Sequence, residues 1–202
     1  MRLVLASASP RRAELLAAAG FSFEALPVDV DERPEADEPP SAYVQRLAGE
    51  KSARAMERLV AAAEGGAKEE GTAALRETAV LGADTAVVVD GRILGKPRDD
   101  REARAMLEQL AGRRHEVMTG VSLRSMTAEL CVVETTAVWF APLGADDIAW
   151  YIGSAEGRDK AGAYAIQGLA ARFIPRIDGS YSNVVGLPVA RVYQLLKRLQ
   201  AG

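Results

Sequence analysis

The hydrophobic positions of this chain switch repeatedly between strand-like runs and the three-to-four-residue spacing of helices. The longest apolar run extends from Ala79 to Val89, and Asp90-Gly91 separates it from Ile93-Leu94. This pattern predicts two strands joined by a tight primed turn. Further strand patterns lie at about residues 3–6, 21–25, 116–123, 130–141 and 172–177. The hairpin is the clearest element of the sequence.

Helical spacing predicts helices at about residues 10–19, 41–63, 99–112 and 146–152, and a last one from Pro188 onward. Ser9-Pro10 supplies an N-cap residue and a proline at the first helical position. Asp99, followed three residues later by Glu102, is typical of a capping box. The segment from about residue 65 to 78 has no clear period, and we interpret it as a flexible surface insertion.

Composition narrows the class of protein. The chain has 202 residues, 49% of them hydrophobic, which is enough to bury a core as one large domain or two small lobes. The chain has 25 basic and 28 acidic residues, so it lacks the positive electrostatic field that nucleic-acid binding normally requires. No apolar run approaches the roughly 20 residues that span a bilayer. We therefore expect neither nucleic acid nor a membrane as a partner.

Cys131 is the only cysteine, so no disulfide can form within the chain. It lies in an apolar strand pattern, which favours a small buried side chain over a reactive thiol. The first apolar run, at residues 3–6, is too short for an export signal. These features together predict a protein of the reducing cytoplasm.

The first candidate site is the turn from Ser7 to Arg12, which joins a predicted strand to a helix start. Free amides, hydroxyls and two guanidiniums at a helix N-terminus favour a phosphate ligand. Arg11 and Arg12 would otherwise oppose the helix dipole there, although two solvated arginines are the alternative. Neither a P-loop motif nor a GxGxxG fingerprint is present.

Two charged residues fall at positions where the pattern predicts burial. Lys51 continues the apolar stripe of the second helix, so it either binds an anion or extends over the core to water. Asp84 interrupts the long apolar strand, where a carboxylate needs a partner, water or a metal unless the strand end opens to solvent. Lys96 adds a cation after the hairpin. Glu32 lies in an acidic loop. It is either a metal ligand or one of a run of charged residues that are simply solvated.

His115 is the only histidine, and no GxSxG motif accompanies it, so we expect it either to be structural or to support the site residues from behind. The lack of CxxC pairs and of other histidines excludes a typical zinc site. Carboxylates, lysines and arginines remain, and these residue types suit a hard cation and phosphate.

In order and spacing, these segments resemble the Maf family of nucleotide pyrophosphatases through nearly the whole chain. The matching motifs are LASASPRR at 5–12, ELL at 14–16, DE at 31–32, RLA at 46–48, EK at 50–51, GADT at 82–85, GKPR at 95–98, HEVMTGV at 115–121, DKAGAY at 159–164, AIQG at 165–168 and VGLP at 185–188. The departure is the segment from about 65 to 78, which is longer than we expect of the family.

The resemblance implies an α/β fold like that of the ITPases, with an elongated mixed β-sheet flanked by helices. It implies a single domain over residues 1–202, made of two lobes with a central cleft, and commonly a homodimer. Asp84 would be the catalytic acid/base, and Asp84 and Glu32 would hold a divalent cation, Mg²⁺ or Mn²⁺. The residues expected to surround the triphosphate are Ser7, Arg11, Arg12, Lys51 and Lys96, of which the lysines also count as catalytic.

The resemblance also bears on the substrate. The subgroup similar to this sequence combines Arg11, Thr85 and Gln167 and is associated with dTTP and UTP, whereas a sister group that prefers 7-methyl-GTP has Trp, Gln and Glu there. We therefore expect hydrolysis of dTTP and UTP to monophosphate and pyrophosphate, which keeps non-standard nucleotides out of nucleic acids. The alternatives are a 7-methyl-GTP pyrophosphatase and a nucleotide-responsive regulator of cell-division arrest.

Overall fold

A computed structural model describes residues 1–64 and 73–201 of the chain. Its centre is a seven-stranded mixed sheet with the order β2-β1-β3-β5-β6-β7, in which β4 also pairs with β3. The strands are β1 (Arg2–Leu5), β2 (Glu24–Ala25), β3 (Thr78–Val89), β4 (Arg92–Leu94), β5 (Arg114–Arg124), β6 (Glu129–Trp139) and β7 (Arg176–Asp178). β1 is parallel to both β2 and β3, and the remaining pairs are antiparallel. The expected mixed α/β sheet is confirmed.

Helices flank this sheet. They are α1 (Pro10–Ala18), α2 (Pro40–Glu64), α3 (Asp100–Leu110), α4 (Ala145–Gly153), α5 (Tyr181–Val185) and α6 (Val189–Ala201), with 3₁₀ helices at Ala161–Ala163 and Leu169–Phe173. Asp99 caps α3 by accepting the Glu102 N–H at 2.8 Å. The Glu102 carboxylate binds the Arg98 N–H instead of that of Asp99, so only half of the predicted capping box forms. None of the described helices is long and apolar enough to cross a bilayer.

The strand β3 organises the molecule because a gap in its pairing creates the cleft. One edge of β3 pairs with β5 over nine consecutive positions. The other edge pairs with β1 up to Leu81 and with β4 from Val87 onward, across the predicted hairpin. Asp90 and Gly91 have φ angles of +50° and +74°, as a primed turn requires. Asp84 and Thr85 lie between the two paired segments, where no strand within residues 1–64 and 73–201 pairs with this edge of β3.

The helix α2 crosses the sheet at unusually short range, because two glycines remove the side chains that would block it. A Cβ atom at Gly82 would overlap the carbonyl oxygen of Ala48, and one at Gly120 would overlap that of Val44. Gly120 is paired with Asp84 across β3 and β5. Because of this close approach, Lys51, which lies one turn farther along α2, contacts Asp84.

The hydrophobic core follows the two-residue period of β3. Ala79, Leu81 and Ala83 belong to one large cluster, together with residues of β1 and α6. Val87 and Val89 belong to a second large cluster, together with residues of α3 and α4. Thr85 occupies the corresponding position between the two clusters.

Several local expectations were wrong. Of residues 21–25 only Glu24–Ala25 pairs as a strand, and residues 169–173 form a 3₁₀ helix before the short strand β7. The helix α5 had no recognisable pattern in the sequence. Most of the expected insertion at residues 65–78 lies outside the described residues, but Thr78 already belongs to β3.

Cys131 is exposed, not buried as we expected. Among the strands of the described residues, the first part of β6 pairs with β5 only, since β7 covers just Ala137–Trp139. An apolar strand pattern does not reveal whether a strand has neighbours on both sides, and Cys131 lies in the segment with one neighbour.

Candidate active site

A cavity of about 970 Å³ opens at the gap in β3. Its walls are formed by the turn after β1, the loop before α2, the end of the hairpin and the segment between α4 and β7. All nine site residues expected from the sequence line it, namely Ser7, Arg11, Arg12, Glu32, Lys51, Asp84, Thr85, Lys96 and Gln167. Residues up to 160 positions apart in the chain thus converge on one cleft.

At one wall of the cavity, Lys51 bridges two carboxylates. Its Nζ donates to Asp84 Oδ1 at 2.7 Å and to Glu32 Oε1 at 2.6 Å. Lys51 and Asp84 are 7% and 8% exposed, whereas the side chain of Glu32 is 52% exposed. The buried ammonium therefore has partners within the protein and does not extend to water, and Asp84 is a buried charge, not an open strand end.

The loop that carries Glu32 is fixed to α2. Tyr43 Oη donates to the Glu32 carbonyl oxygen at 2.9 Å. Burial raises the pKa of Tyr43 to about 12, with the charges of Asp84 and Glu32 acting in the same direction. Burial also raises the pKa of Glu32, but the hydrogen bond from Lys51 and nearby positive charges outweigh it, so that the net pKa lies below the ordinary value. Glu32 is therefore ionised at neutral pH.

Arg12 is the most firmly held cation of the site. Its Nε donates to the Gly186 carbonyl oxygen at 2.8 Å, and its terminal nitrogens donate to Ser7 Oγ and Thr85 Oγ1, each at 3.1 Å. Burial lowers the pKa of Arg12, and the charge of Asp84 partly opposes that shift. Ser9 lies at the N-cap position of α1 but makes no capping hydrogen bond. Instead its N–H donates to Ser7 Oγ at 3.2 Å, which orients the Ser7 hydroxyl.

Arg11, Lys96 and Gln167 also face the cavity. Within residues 1–64 and 73–201, none of these three side chains makes a hydrogen bond or an ion pair with the protein. Lys96 and Gln167 are exposed. All of their donors are therefore available to a ligand, whereas Arg12 has two of its five N–H donors left and Lys51 one of its three.

The donor set at Asp84 and Glu32 fits a hard divalent cation. The described residues contain no group of three or more His, Cys, Asp or Glu side chains arranged to hold a metal. Mg²⁺ commonly binds through one or two carboxylates and completes its shell with water and substrate phosphates. Asp84 and Glu32 share one ammonium, so their carboxylates are close enough to contact one ion.

His115 lies outside the cavity lining, whereas its hydrogen-bond partner Tyr164 lines it. Its Nε2 shares a hydrogen bond of 2.8 Å with Tyr164 Oη, and its ring packs edge-on against Phe140 and Tyr164. Burial, and to a smaller extent the charge of Arg114, lowers the pKa of His115 to about 4. The imidazole is therefore neutral at pH 7.

Sequence reasoning missed the polar residues behind the cavity. Thr119 Oγ1 is hydrogen-bonded to Thr85 Oγ1 at 2.9 Å and to the Asn183 carbonyl oxygen at 3.3 Å. Asn183 Nδ2 in turn donates to the Val117 carbonyl oxygen at 3.0 Å. Both Thr119 and Asn183 are fully buried. In the sequence, the only sign of these two residues is that they are polar among apolar neighbours. Their contacts could not be predicted, because they join distant parts of the chain.

The fold and the cavity define an α/β protein whose cleft gathers cations around a pair of carboxylates. Comparison with known proteins identifies the family, because the profile described as Maf-like protein matches residues 2–199. The chain belongs to the Maf-like family.

Two relatives are similar to the chain over nearly its whole length, and one solved structure is similar over part of it. A protein of Anaeromyxobacter dehalogenans named dTTP/UTP pyrophosphatase is 49% identical over 201 residues, with 98% of this chain and 93% of that protein covered. A protein of Vibrio cholerae with the same name is 47% identical over 197 residues, with coverages of 98% and 97%. The solved structure of the Staphylococcus aureus Ham1 protein is similar with a TM-score of 0.43 and 17% identity, over 70% of this chain and 72% of that one.

Proposed function

We propose that this protein is a nucleoside triphosphate pyrophosphatase that hydrolyses dTTP and UTP to the nucleoside monophosphate and pyrophosphate. The bridge from Asp84 through Lys51 to Glu32, inside a cavity that five cationic residues line, carries the proposal. A phosphate-binding site needs cations, but it does not need two carboxylates at its centre. The relatives named dTTP/UTP pyrophosphatase, which align over nearly their whole length, supply the substrate class.

In the proposed reaction, Asp84 orients a water molecule and accepts its proton. The water oxygen forms a bond to the α-phosphorus, and the bond from that phosphorus to the oxygen bridging to the β-phosphorus breaks. The bridging oxygen leaves with pyrophosphate, and the products are the monophosphate, pyrophosphate and one proton. Arg12, Lys51 and Lys96 stabilise the charge that develops on the leaving group.

Asp84 and Glu32 would hold Mg²⁺ or Mn²⁺, which supplies charge neutralisation on the phosphate oxygens when bound. Arg12 cannot turn freely, because Gly186, Ser7 and Thr85 fix three of its nitrogens. Such preorganised donors stabilise a transition state without reorganising at the moment of reaction.

The base is assigned to the part of the cavity that Gln167 lines. A primary amide offers both a donor and an acceptor, which suits the mixed edge of uracil or thymine. Arg11 and Thr85 complete the proposed selectivity set. The side chain of Thr85 is held in one position, since its hydroxyl is hydrogen-bonded to Arg12 and Thr119.

The experiment is a panel of dTTP, UTP, CTP, GTP, ATP and 7-methyl-GTP, each incubated with Mg²⁺ or Mn²⁺. Pyrophosphate and orthophosphate are scored separately. The proposal expects pyrophosphate, with dTTP and UTP turned over fastest. Orthophosphate as the only phosphate product would contradict the proposed cleavage, and a preference for 7-methyl-GTP would contradict the proposed substrate.

We further infer that the protein acts in the cytoplasm as a homodimer and removes non-standard nucleotides before they enter nucleic acids. The single exposed cysteine suits a reducing compartment. Within the described residues, the first part of β6 has a strand partner on one side only, and an open edge of this kind suits self-association. Light scattering of the purified chain tests the dimer.

A further inference from the structure

The segment after α4 is fastened by one carboxylate and one phenol. Glu156 accepts hydrogen bonds from the Leu169 N–H at 2.9 Å and from Tyr151 Oη at 2.8 Å, and a longer one of 3.4 Å from the Ala170 N–H. Tyr151 Oη also accepts the Ala165 N–H at 3.1 Å. Glu156 and Tyr151 therefore hold the backbone on both sides of residues 166–168.

The backbone of this segment is strained. Ala155 and Ala163 have φ angles of +61° and +58°, in the left-handed region that residues with a side chain rarely adopt. A Cβ atom at Gly157 would overlap the Ala163 carbonyl oxygen, so the chain folds tightly against itself. Strained conformations persist only where the surrounding structure determines them, and they concentrate at functional sites.

This segment forms one wall of the cavity. Tyr164, Ala165, Ile166 and Gln167 all line it, and the Gln167 side chain is exposed to it. Tyr151 is 1% exposed and does not line the cavity. At Gly168, a Cβ atom would overlap the Glu156 carboxylate, so the backbone rests directly on that group. Glu156 and Tyr151 thus support the wall from behind.

We propose that Glu156 and Tyr151 are positioning residues that fix Gln167 against the base and thereby set the selectivity of the enzyme. The inference rests on the proposed function, in which Gln167 contacts the base. The phosphate-binding cations have separate supports, since Arg12 is held by Ser7 and Gly186 and Lys51 extends from α2. Loss of the Glu156–Tyr151 pair should therefore disturb base recognition and leave phosphate binding unchanged.

The test compares Tyr151→Phe and Glu156→Gln with wild type. Tyr151→Phe keeps the buried ring and removes only the hydroxyl, so it is the variant with the smallest effect on the fold. Asp147→Asn is the matched control, because Asp147 also binds a backbone N–H at α4, that of Gly144 at 2.9 Å, but lies outside the cavity. The measured quantities are kcat/KM for UTP and for GTP, the Ki of inorganic triphosphate as a base-free inhibitor, and the Tm.

We expect the ratio of kcat/KM for UTP to that for GTP to fall about tenfold in both variants, the effect of losing one hydrogen bond to a charged group. The Ki of inorganic triphosphate should stay within about twofold of wild type. Asp147→Asn should keep the wild-type ratio. If one of the two variants fails to fold, the other still tests the pair.

Two results would overturn the inference. One is a wild-type selectivity ratio in both folded variants. The other is a Ki for inorganic triphosphate that rises as much as kcat/KM for UTP falls, which indicates general distortion. Gln167→Ala separates this failure from that of the proposed function. If Gln167→Ala lowers the ratio and the two variants do not, only the inference fails. A wild-type enzyme that releases no pyrophosphate from UTP overturns both.

Discussion

Lys51 Nζ lies 2.7 Å from Asp84 Oδ1, and both side chains are almost completely removed from solvent. The contact depends on two glycines, Gly82 and Gly120, which let α2 approach the sheet closely enough for the ammonium to meet the carboxylate. The same helix position that looks apolar in the sequence therefore supplies the counter-ion of the buried acid.

Asp84→Asn should lower kcat about 10²-fold to 10⁴-fold, because the amide keeps the shape of the side chain but cannot accept a proton from water. The measurement is steady-state release of pyrophosphate from UTP, with circular dichroism as a check of folding. Asp90→Asn is the matched control, since Asp90 lies in the exposed hairpin turn, where asparagine also tolerates a positive φ. Near-normal turnover in folded Asp84→Asn would exclude Asp84 as the base.

Lys51→Met should destabilise the fold by about 3 kcal/mol, because it leaves the buried Asp84 carboxylate without its partner. The double variant Lys51→Met, Asp84→Leu should recover most of that loss, since it removes both charges. Urea unfolding of the wild type, the two single variants and the double variant gives the coupling energy. Simple addition of the two single effects would show that the buried pair is not energetically coupled.

Thr119→Val should lower kcat/KM for UTP about tenfold. The change removes the hydroxyl that is hydrogen-bonded to Thr85 and to the Asn183 carbonyl oxygen, and Thr85 in turn fixes Arg12. Thr119→Ser keeps the hydroxyl and should restore activity. If Thr119→Ser is as impaired as Thr119→Val, packing of the methyl group and not hydrogen bonding explains the effect.

Stability should decrease as the pH falls from 7 to 5, and His115 should account for about 2 kcal/mol of that decrease. Its pKa is about 4 in the folded protein and 6.5 in the unfolded chain, so the unfolded state binds more protons between these values. The contribution of the neutral His115 to stability is therefore present above pH 6.5 and is lost as the pH falls toward 4. His115→Gln, which does not titrate in this range, should flatten the dependence in urea unfolding at pH 7, 6 and 5. An unchanged slope would contradict the assignment.

The sequence revealed those features of the site that break a local pattern. Asp84 interrupts an apolar strand, and Lys51 falls on the apolar stripe of a helix, so both stood out without knowledge of the fold. The hairpin was also predictable, because the Asp90-Gly91 turn depends on only a few neighbouring residues. These features depend on the period of the local structure alone.

Other features depend on contacts between distant segments. Glu156 and Thr119 are ordinary polar residues in the sequence, and their importance comes from partners that only the folded chain supplies. Cys131 was assigned to the interior because strand periodicity does not specify the number of neighbouring strands. The 3₁₀ helix at Leu169–Phe173 includes the start of the strand predicted at 172–177, of which only the end pairs, since short apolar segments do not distinguish the two structures.

Hydrolysis of UTP in ¹⁸O-labelled water tests the central claim most directly, because it reports which phosphorus atom the water attacks. Wild-type protein with Mg²⁺ or Mn²⁺ should yield UMP that carries one ¹⁸O atom and pyrophosphate that carries none, as analysed by mass spectrometry. Label in pyrophosphate, or orthophosphate and UDP in place of pyrophosphate and UMP, would contradict attack at the α-phosphorus and with it the proposed function of the Asp84 site.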